Sequence, residues 1–191
     1  MDPRIDVALV ALGILEKLHR SGKLKGDLKP LKSLLMSLKW VDDVEYLRAN
    51  VGNISEALEG LRCLKDCELF EWCVNYLKTL HERLGRPGGS VLSALDCGTG
   101  KVVSVHRIDE KLSICRVDSK YGSLTVVTNL SVKKGDTLPF VILPPRKFGD
   151  AVSEAMFVWG PVRDLGEVDW KKVKGEVSGV LDQLRFKNGK G

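Results

Sequence analysis

The residues of this sequence that could do chemistry are mainly cations, and most of the positive surplus lies in the second half of the chain. Residues 88–191 hold 16 Lys and Arg against 12 Asp and Glu, a net charge of +4, whereas residues 1–87 hold 14 against 13, a net charge of +1. Cations that neutralise the phosphates of a polyanion release bound counterions, which favours binding. This distribution favours an acidic partner for the second half.

Three cysteines and one histidine raise the question of a metal site. Cys63 and Cys67 are one helical turn apart, Cys73 follows them, and His81 is near in sequence. A structural zinc site usually takes two Cys or Cys/His pairs on turns, and no second pair accompanies this one. We therefore favour buried helix cysteines over a zinc site, and we expect no cofactor.

The cysteine count also bears on localisation. The chain has five cysteines, an odd number, and is too long to need disulfides for stability. We expect free thiols, a reducing compartment and hence a cytoplasmic protein. The N-terminus is not that of a secretion signal, and no stretch reaches the roughly 18 to 20 apolar residues that span a bilayer, so we expect no membrane partner.

Sequence patterns typical of catalysis are not found. His19, His81 and His106 accompany no nucleophile motif, and the chain has no complete phosphate loop. Gly98-Thr99-Gly100-Lys101 resembles half of such a loop, but it precedes a predicted strand where a phosphate loop precedes a helix. We interpret it as a turn, and we expect no enzymatic activity.

The first half of the chain has helical periodicity. From Asp2 to Leu84 the apolar residues recur every three or four positions, which predicts an all-α bundle of about four helices. The predicted breaks are at Ser21-Gly22, Gly26 to Pro30, Asn50 to Asn53 and Gly60. Asn53 or Ser55 is the expected N-cap of the stretch to Leu84.

A linker separates the two halves. Gly85-Arg86-Pro87-Gly88-Gly89-Ser90 combines residues that end helices, and the periodicity changes after it. We place the domain boundary there. The helical domain then covers residues 1–86 and a second domain covers residues 87–191.

The second domain has short β-rich runs followed by a helical pattern. Val, Ile, Leu and Thr dominate four segments, at 101–105, 112–117, 124–128 and 138–143. Short strands at close spacing predict a small all-β barrel or sandwich. From Asp169 to Phe186 the apolar spacing predicts a closing helix, with a frayed tail from Lys187 to Gly191. The expected fold class is α+β, in two domains.

Five segments of the second domain, taken in order, carry a resemblance to a known family. They are Lys101-Val-Val-Ser-Val-His106, Lys111-Leu-Ser-Ile-Cys-Arg-Val-Asp118, Thr125-Val-Val-Thr-Asn-Leu130, Lys134-Gly-Asp136, and the stretch from Leu143-Pro-Pro-Arg146 to Ser153-Glu-Ala-Met156. They resemble the tRNA-binding domain of the endothelial-monocyte-activating-polypeptide type. That domain is appended to methionyl- and phenylalanyl-tRNA synthetases and also occurs in stand-alone archaeal proteins, which this chain looks like.

The resemblance implies an oligonucleotide-binding fold, a five-stranded β-barrel that recognises tRNA by its shape and backbone. The RNA-binding residues expected on it are Lys101, Arg107, Lys111, Arg116, Asn129, Arg146, Lys147, Ser153 and Met156. Each has a structural alternative: the cations could be solvated surface charges, Asn129 could cap its own turn, and Met156 could fill the barrel.

The chain departs from the family pattern at two places. The first turn reads His106-Arg107-Ile108-Asp109-Glu110-Lys111-Leu112, so its proline is missing and Ile108 replaces a polar residue. Ala155 replaces the glycine of the last motif, which would allow close backbone approach. Pro144 and Pro145 should position a loop near the barrel face, because proline does not fit a central strand ladder.

The expected partners are tRNA or structured RNA. For the helical domain they are an aminoacyl-tRNA synthetase, another translation factor or a second copy of the chain. The alternative is an interaction protein in which the barrel has lost its RNA affinity and serves as a docking surface. Salt-sensitive RNA binding separates the two.

Overall fold

Helices fill the first half of the chain and a five-stranded antiparallel sheet fills most of the second, so the fold is α+β, as the sequence predicts. The computed structural model describes residues 1–65, 67–88, 90–163 and 165–189. The chain groups into two compact units, one of Met1–Ala94 with Val177–Gly191 and the other of Leu95–Glu176. We call them the helical unit and the sheet unit.

The helical unit is built around its first helix. Asp2 caps that helix through its carboxylate, and Pro3 has the fixed φ that suits a first helical turn. The helix buries apolar residues on most of its circumference and packs against four others. In chain order the elements are α1 (Pro3–Arg20), β1 (Leu24–Lys25), α2 (Lys29–Leu38), α3 (Val44–Asn50), α4 (Ile54–Leu58), β2 (Arg62–Cys63), α5 (Cys67–Lys78), α6 (Leu80–Leu84) and α7 (Val91–Ala94).

The stretch from Asn53 to Leu84 is interrupted at Gly60, as predicted, but neither expected N-cap residue caps it. Asn53 does precede α4, but its side chain makes no capping bond and α4 ends at Leu58. Gly60 then takes a φ of +81°, which turns the chain so that β2 pairs with β1. The helices are therefore shorter and more numerous than predicted, because a two-residue strand leaves no periodicity in the sequence.

A buried arginine ties the start of α1 to the end of α6. The Arg4 side chain is 2% exposed and donates two hydrogen bonds to the Asp2 carboxylate, at 2.8 and 2.6 Å. It also donates to the carbonyl oxygens of Arg83, Leu84 and Arg86, at 3.3, 3.1 and 2.9 Å. These carbonyls lie at and just after the C-terminal end of α6, where the last carbonyls of a helix lack partners inside the helix. The Arg83 carbonyl also accepts a hydrogen bond from Arg86 N–H at 3.0 Å. Arg4 thus holds this end of α6 while its charge is paired with that of Asp2.

The sheet unit contains five strands in the order β5-β4-β3-β6-β7, and neighbours are antiparallel. The strands are β3 (Cys97–Arg107), β4 (Ser113–Ser119), β5 (Gly122–Thr128), β6 (Thr137–Phe148) and β7 (Ala151–Phe157). One face buries a core of Val102, Cys115, Val117, Leu124, Val126, Leu138, Phe140, Ala155 and Phe157. Four of these strands contain the four runs that the sequence predicts; β7 was not predicted.

The double proline lies inside β6 and not in a loop, which corrects the prediction for Pro144 and Pro145. The register between β6 and β7 shifts between Ile142 and Arg146, so both prolines fall in the irregular stretch. A bulge of this kind leaves backbone positions without ladder partners, and residues that lack an N–H fit there.

Gly98 to Lys101 form the start of β3, so the interpretation of this segment as a turn is wrong. Gly100 is required for packing, because a Cβ at this position would overlap the side chain of Val117 on β4. Gly100 therefore allows the close approach of β4 to β3.

The outer strands of the sheet, β5 and β7, meet through side chains. The Ser153 hydroxyl accepts a hydrogen bond from Val127 N–H at 2.9 Å, and the Glu154 carboxylate accepts one from Thr125 N–H at 2.7 Å. Among the described residues, β5 and β7 are not paired by a backbone ladder. Two side chains of β7 therefore take the place of backbone partners along the free edge of β5.

The last helix, α8 (Trp170–Gly189), confirms the predicted closing helix. It continues into the predicted tail, of which Lys190 and Gly191 lie outside the described residues, as does Gly89 of the predicted linker. Across the described part of the chain, no helix has the length and apolar character needed to cross a membrane. After the linker, α7 groups with the helical unit.

Candidate nucleic-acid interface

The β3–β4 turn carries two of the predicted RNA-binding residues, Arg107 and Lys111, both exposed. The Asp109 carboxylate accepts hydrogen bonds from the backbone N–H groups of Lys111 and Leu112, each at 2.7 Å, and Ile108 N–H donates to the Leu112 carbonyl at 2.9 Å. An Asp side chain that bonds its own backbone two or three residues ahead fixes a tight turn. Asp109 therefore provides the rigidity that a proline would otherwise give this turn.

The end of β5 carries a third predicted residue, Asn129. Thr128, the last residue of β5, pairs with Ser113 at the start of β4, and its hydroxyl accepts a hydrogen bond from Leu130 N–H at 3.1 Å. Asn129 is exposed beside it, and Leu130 exposes 38% of its surface. The register thus brings Asn129 next to the strand that follows the β3–β4 turn.

The β6–β7 hairpin carries two more, Arg146 and Lys147. Both side chains are exposed, and Gly149, with a φ of +60°, makes the sharp turn between the strands. Arg146 is the register partner of Ser153, the residue whose hydroxyl bonds β5. The Arg146 guanidinium lies over the ring of Phe148, 5.2 Å from its centroid.

These three turns converge on one end of the sheet, which we call the basic end. Its members are Arg107, Lys111, Asn129, Arg146 and Lys147. The β4–β5 pairing joins the first turn to Thr128, and the Ser153–Val127 bond joins the β6–β7 hairpin to the same stretch of β5. Asp109, Glu110 and Asp150 lie in the same turns, so the positive charge of this end is partly offset. The Asp109 carboxylate is already hydrogen-bonded to the backbone of its own turn.

The remaining predicted cations lie further along the sheet. Arg116 is exposed at the middle of β4, and its Nε donates to the Ser123 hydroxyl at 2.9 Å. Lys101 is six residues before Arg107 on β3, or roughly 20 Å at about 3.3 Å per residue. It is directly across from Asp118. Lys133 and Lys134 are also exposed, although neither was predicted to bind RNA. Their loop is hydrogen-bonded to the backbone of Val102, the neighbour of Lys101, and the sequence alone does not show this proximity.

Ser153 is buried and Met156 is half-buried, whereas the predicted cations are exposed. Ser153 is 8% exposed; besides accepting from Val127, its hydroxyl donates to the Ala155 carbonyl at 3.0 Å. Met156 is half-buried opposite Val141, and Ala155 belongs to the core. The hydrogen bonds support a structural role for Ser153, and its contact with RNA stays a prediction, as does that of Met156.

The prediction that all three cysteines of the helical unit are buried in helices holds only for Cys73. Cys63 lies in β2 and Cys67 begins α5, and both are half-buried. The thiol of Cys63 raises the pKa of Cys67 to about 11 through a hydrogen bond, and the nearby Glu71 and Glu68 add to this. Burial raises the pKa of the Cys73 thiol. Within the described ranges, no group of three or more His, Cys, Asp or Glu side chains could hold a metal ion.

Comparison with known proteins gives a partial likeness to solved structures. No protein-family model and no curated protein matches the chain. Among solved structures, the chain is similar to the crystal structure of a MetRS related protein from Pyrococcus horikoshii, with 24% identity over 36% of this chain and 72% of that one, at a TM-score of 0.32. A TM-score this low does not establish a shared fold.

Proposed function

We infer that this protein is a non-catalytic RNA-binding protein, and that tRNA is its principal ligand. The basic end carries the proposal, because five residues selected from the sequence, on three separate turns, lie around one end of β5. Cations on several turns can contact successive phosphates of a bent backbone, and such contacts give affinity without base specificity. Recognition then depends on RNA shape.

We further propose that the sheet unit is an oligonucleotide-binding barrel. The strand order and the side-chain bonds from Ser153 and Glu154 to β5 support this, because they bring the outer strands together as closure requires. We propose a two-domain chain with its boundary at residues 86 and 87, located in the cytoplasm. The helical domain would dock onto a synthetase or another translation factor, or pair with a second copy.

A protein–protein interaction module is the second candidate, and the last motif favours it. Ser153 is engaged in structural hydrogen bonds and Ala155 is buried, so two residues of the motif expected to contact RNA serve the fold. The carboxylates of Asp109, Glu110 and Asp150 also reduce the attraction of the basic end for phosphate.

Titration of the full-length protein against a mixed tRNA pool tests the proposal, with duplex DNA of similar phosphate content as the control. Each titration is made at two salt concentrations. We expect tighter binding to tRNA than to DNA, and weaker binding of tRNA at the higher salt. Equal binding of both polymers would indicate unspecific attraction by charge. Binding of neither would favour the interaction module.

A further inference from the structure

The basic end contains an aromatic ring that phosphate binding does not require. Phe148 is the last residue of β6; it is half-buried and does not belong to the core of the sheet. Arg146 lies two residues earlier, so both side chains point to the same side of the strand. The guanidinium plane and the ring are in contact distance, with 5.2 Å between the guanidinium carbon and the ring centroid.

Two exposed apolar side chains lie at the same end of the sheet. Ile108, in the β3–β4 turn, exposes 44% of its surface, and Leu130, beyond the end of β5, exposes 38%. Water-exposed apolar groups next to cations are a poor match for a ligand that presents phosphates alone. They match a ligand that presents a charged backbone and a flat apolar surface together.

An unstacked nucleobase is such a surface. In a continuous RNA helix the base faces are stacked on one another and cannot reach a protein side chain, whereas loops and single-stranded ends offer free faces. Aromatic rings and Arg guanidinium planes are the groups on which proteins stack these bases. Arg146 and Phe148 provide both kinds of group on one strand end.

We propose that Arg146 and Phe148 form a stacking platform for an unpaired base, so that the basic end selects RNA with exposed loop or end nucleotides over continuous double helix. The proposal rests on the proposed RNA-binding function and names the RNA feature that the site takes. Arg146 contributes twice, with its charge to the adjacent phosphate and with its plane to the stack. Ile108 and Leu130 add exposed apolar surface to the same end.

The test compares two RNA probes of equal phosphate content, a hairpin with an unpaired loop and a blunt duplex, using the full-length protein. A third probe, a duplex with a single-stranded 3′ end, distinguishes loop from end nucleotides. We expect the unaltered protein to prefer at least one of the two probes with unpaired bases by about tenfold over the blunt duplex. Phe148→Leu should reduce that preference to near one, with blunt-duplex binding unchanged, and Phe148→Trp should keep it.

Tyr121→Leu is the matched control. Tyr121 lies in the β4–β5 turn, at the other end of β4 from the first turn, and it also has a cation over its ring, Lys120 at 4.8 Å. This substitution should leave the preference intact. Unfolding midpoints of all variants show whether they are folded, and Phe148→Trp still tests stacking if Phe148→Leu does not fold.

The outcomes separate the two levels of inference. If the unaltered protein binds RNA with no preference among the three probes, or if Phe148→Leu retains the preference, the stacking platform is wrong and the proposed function stands. If the unaltered protein binds the mixed tRNA pool but none of the probes, the platform is wrong and the proposed function stands. If it binds neither the probes nor the tRNA pool, the proposed function itself is wrong, and the platform with it.

Discussion

The hydroxyl of Ser153 on β7 accepts a hydrogen bond from the backbone N–H of Val127 on β5, at 2.9 Å, and so connects the two outer strands of the sheet. The same hydroxyl donates to the Ala155 carbonyl at 3.0 Å. One buried hydroxyl thus accepts a hydrogen bond from β5 and donates one within its own strand. The bond also holds the β6–β7 hairpin, with Arg146 and Lys147, beside the end of β5.

Ser153→Ala should destabilise the sheet unit by about 1 to 3 kcal/mol, because it leaves the Val127 N–H without its partner. Urea unfolding measures this. Ser131→Ala, at an exposed position after β5, is the control and should change the unfolding free energy by less than about 0.5 kcal/mol. If Ser153→Ala instead weakens tRNA binding without affecting stability, Ser153 is an RNA contact and the structural assignment is wrong.

Gly100→Ala should also destabilise the sheet unit, by about 1 to 3 kcal/mol, because the added methyl group overlaps the Val117 side chain. Gly160→Ala is the matched control, since a Cβ there meets nothing within 4 Å. Differential scanning calorimetry of both variants measures the effect. Equal unfolding temperatures for the two would show that β3 and β4 can separate to admit a methyl group.

The α+β class, the four predicted strand runs and the closing helix could be read from the sequence because each has several turns or alternations of regular period. The β1–β2 pair could not, since its strands have two residues each. β7 was missed because Ser153 and Glu154 interrupt its apolar pattern. Both residues bond the edge of β5, which is distant in sequence.

Some features of the candidate site could likewise be predicted from the sequence, and others could not. Arg107 and Lys111 could be predicted as exposed because they flank a turn. The burial of Ser153 could not, because burial at that position depends on which face of β7 meets β5. Phe148 was overlooked because a lone aromatic at a strand end is usually core, and only its stack with Arg146 indicates otherwise.

Arg4→Ala should destabilise the helical unit by about 3 kcal/mol or more. It leaves the Asp2 carboxylate without its charge partner and removes the Arg4 donor from the carbonyls of Arg83, Leu84 and Arg86. Arg20→Ala, at the exposed end of α1, removes an equal charge and should cost less than about 0.5 kcal/mol. Circular dichroism at 222 nm during urea unfolding follows the helices. A small effect of Arg4→Ala would mean that water replaces its donors.

The Asp2–Arg4 pair also predicts a pH dependence. Burial of the Asp2 carboxyl opposes its ionisation, but the hydrogen bonds and charge of Arg4 outweigh this and hold its pKa below the usual value. A carboxyl with a lowered folded pKa stabilises fully above its unfolded pKa of about 3.9, and this stabilisation is lost as the pH falls through the folded pKa. The difference in stability between the unaltered protein and Asp2→Asn should therefore shrink below about pH 4. A constant difference from neutral to acid pH would contradict the assignment.

Replacing Lys111, Arg116 and Arg146 together by Ala should weaken tRNA binding without unfolding the sheet, because all three side chains are exposed. If each neutralises one phosphate, the slope of log affinity against log salt should fall by about 2, at roughly 0.7 per contact with a single strand. The control replaces Lys25, Lys29 and Lys78, exposed cations of the helical unit, and changes the net charge equally. Net charge changes equally in both variants. A greater loss of tRNA affinity and of salt dependence in the Lys111, Arg116 and Arg146 variant would therefore indicate local contacts. Equal losses would mean that binding depends on overall charge and that these three cations have no special role.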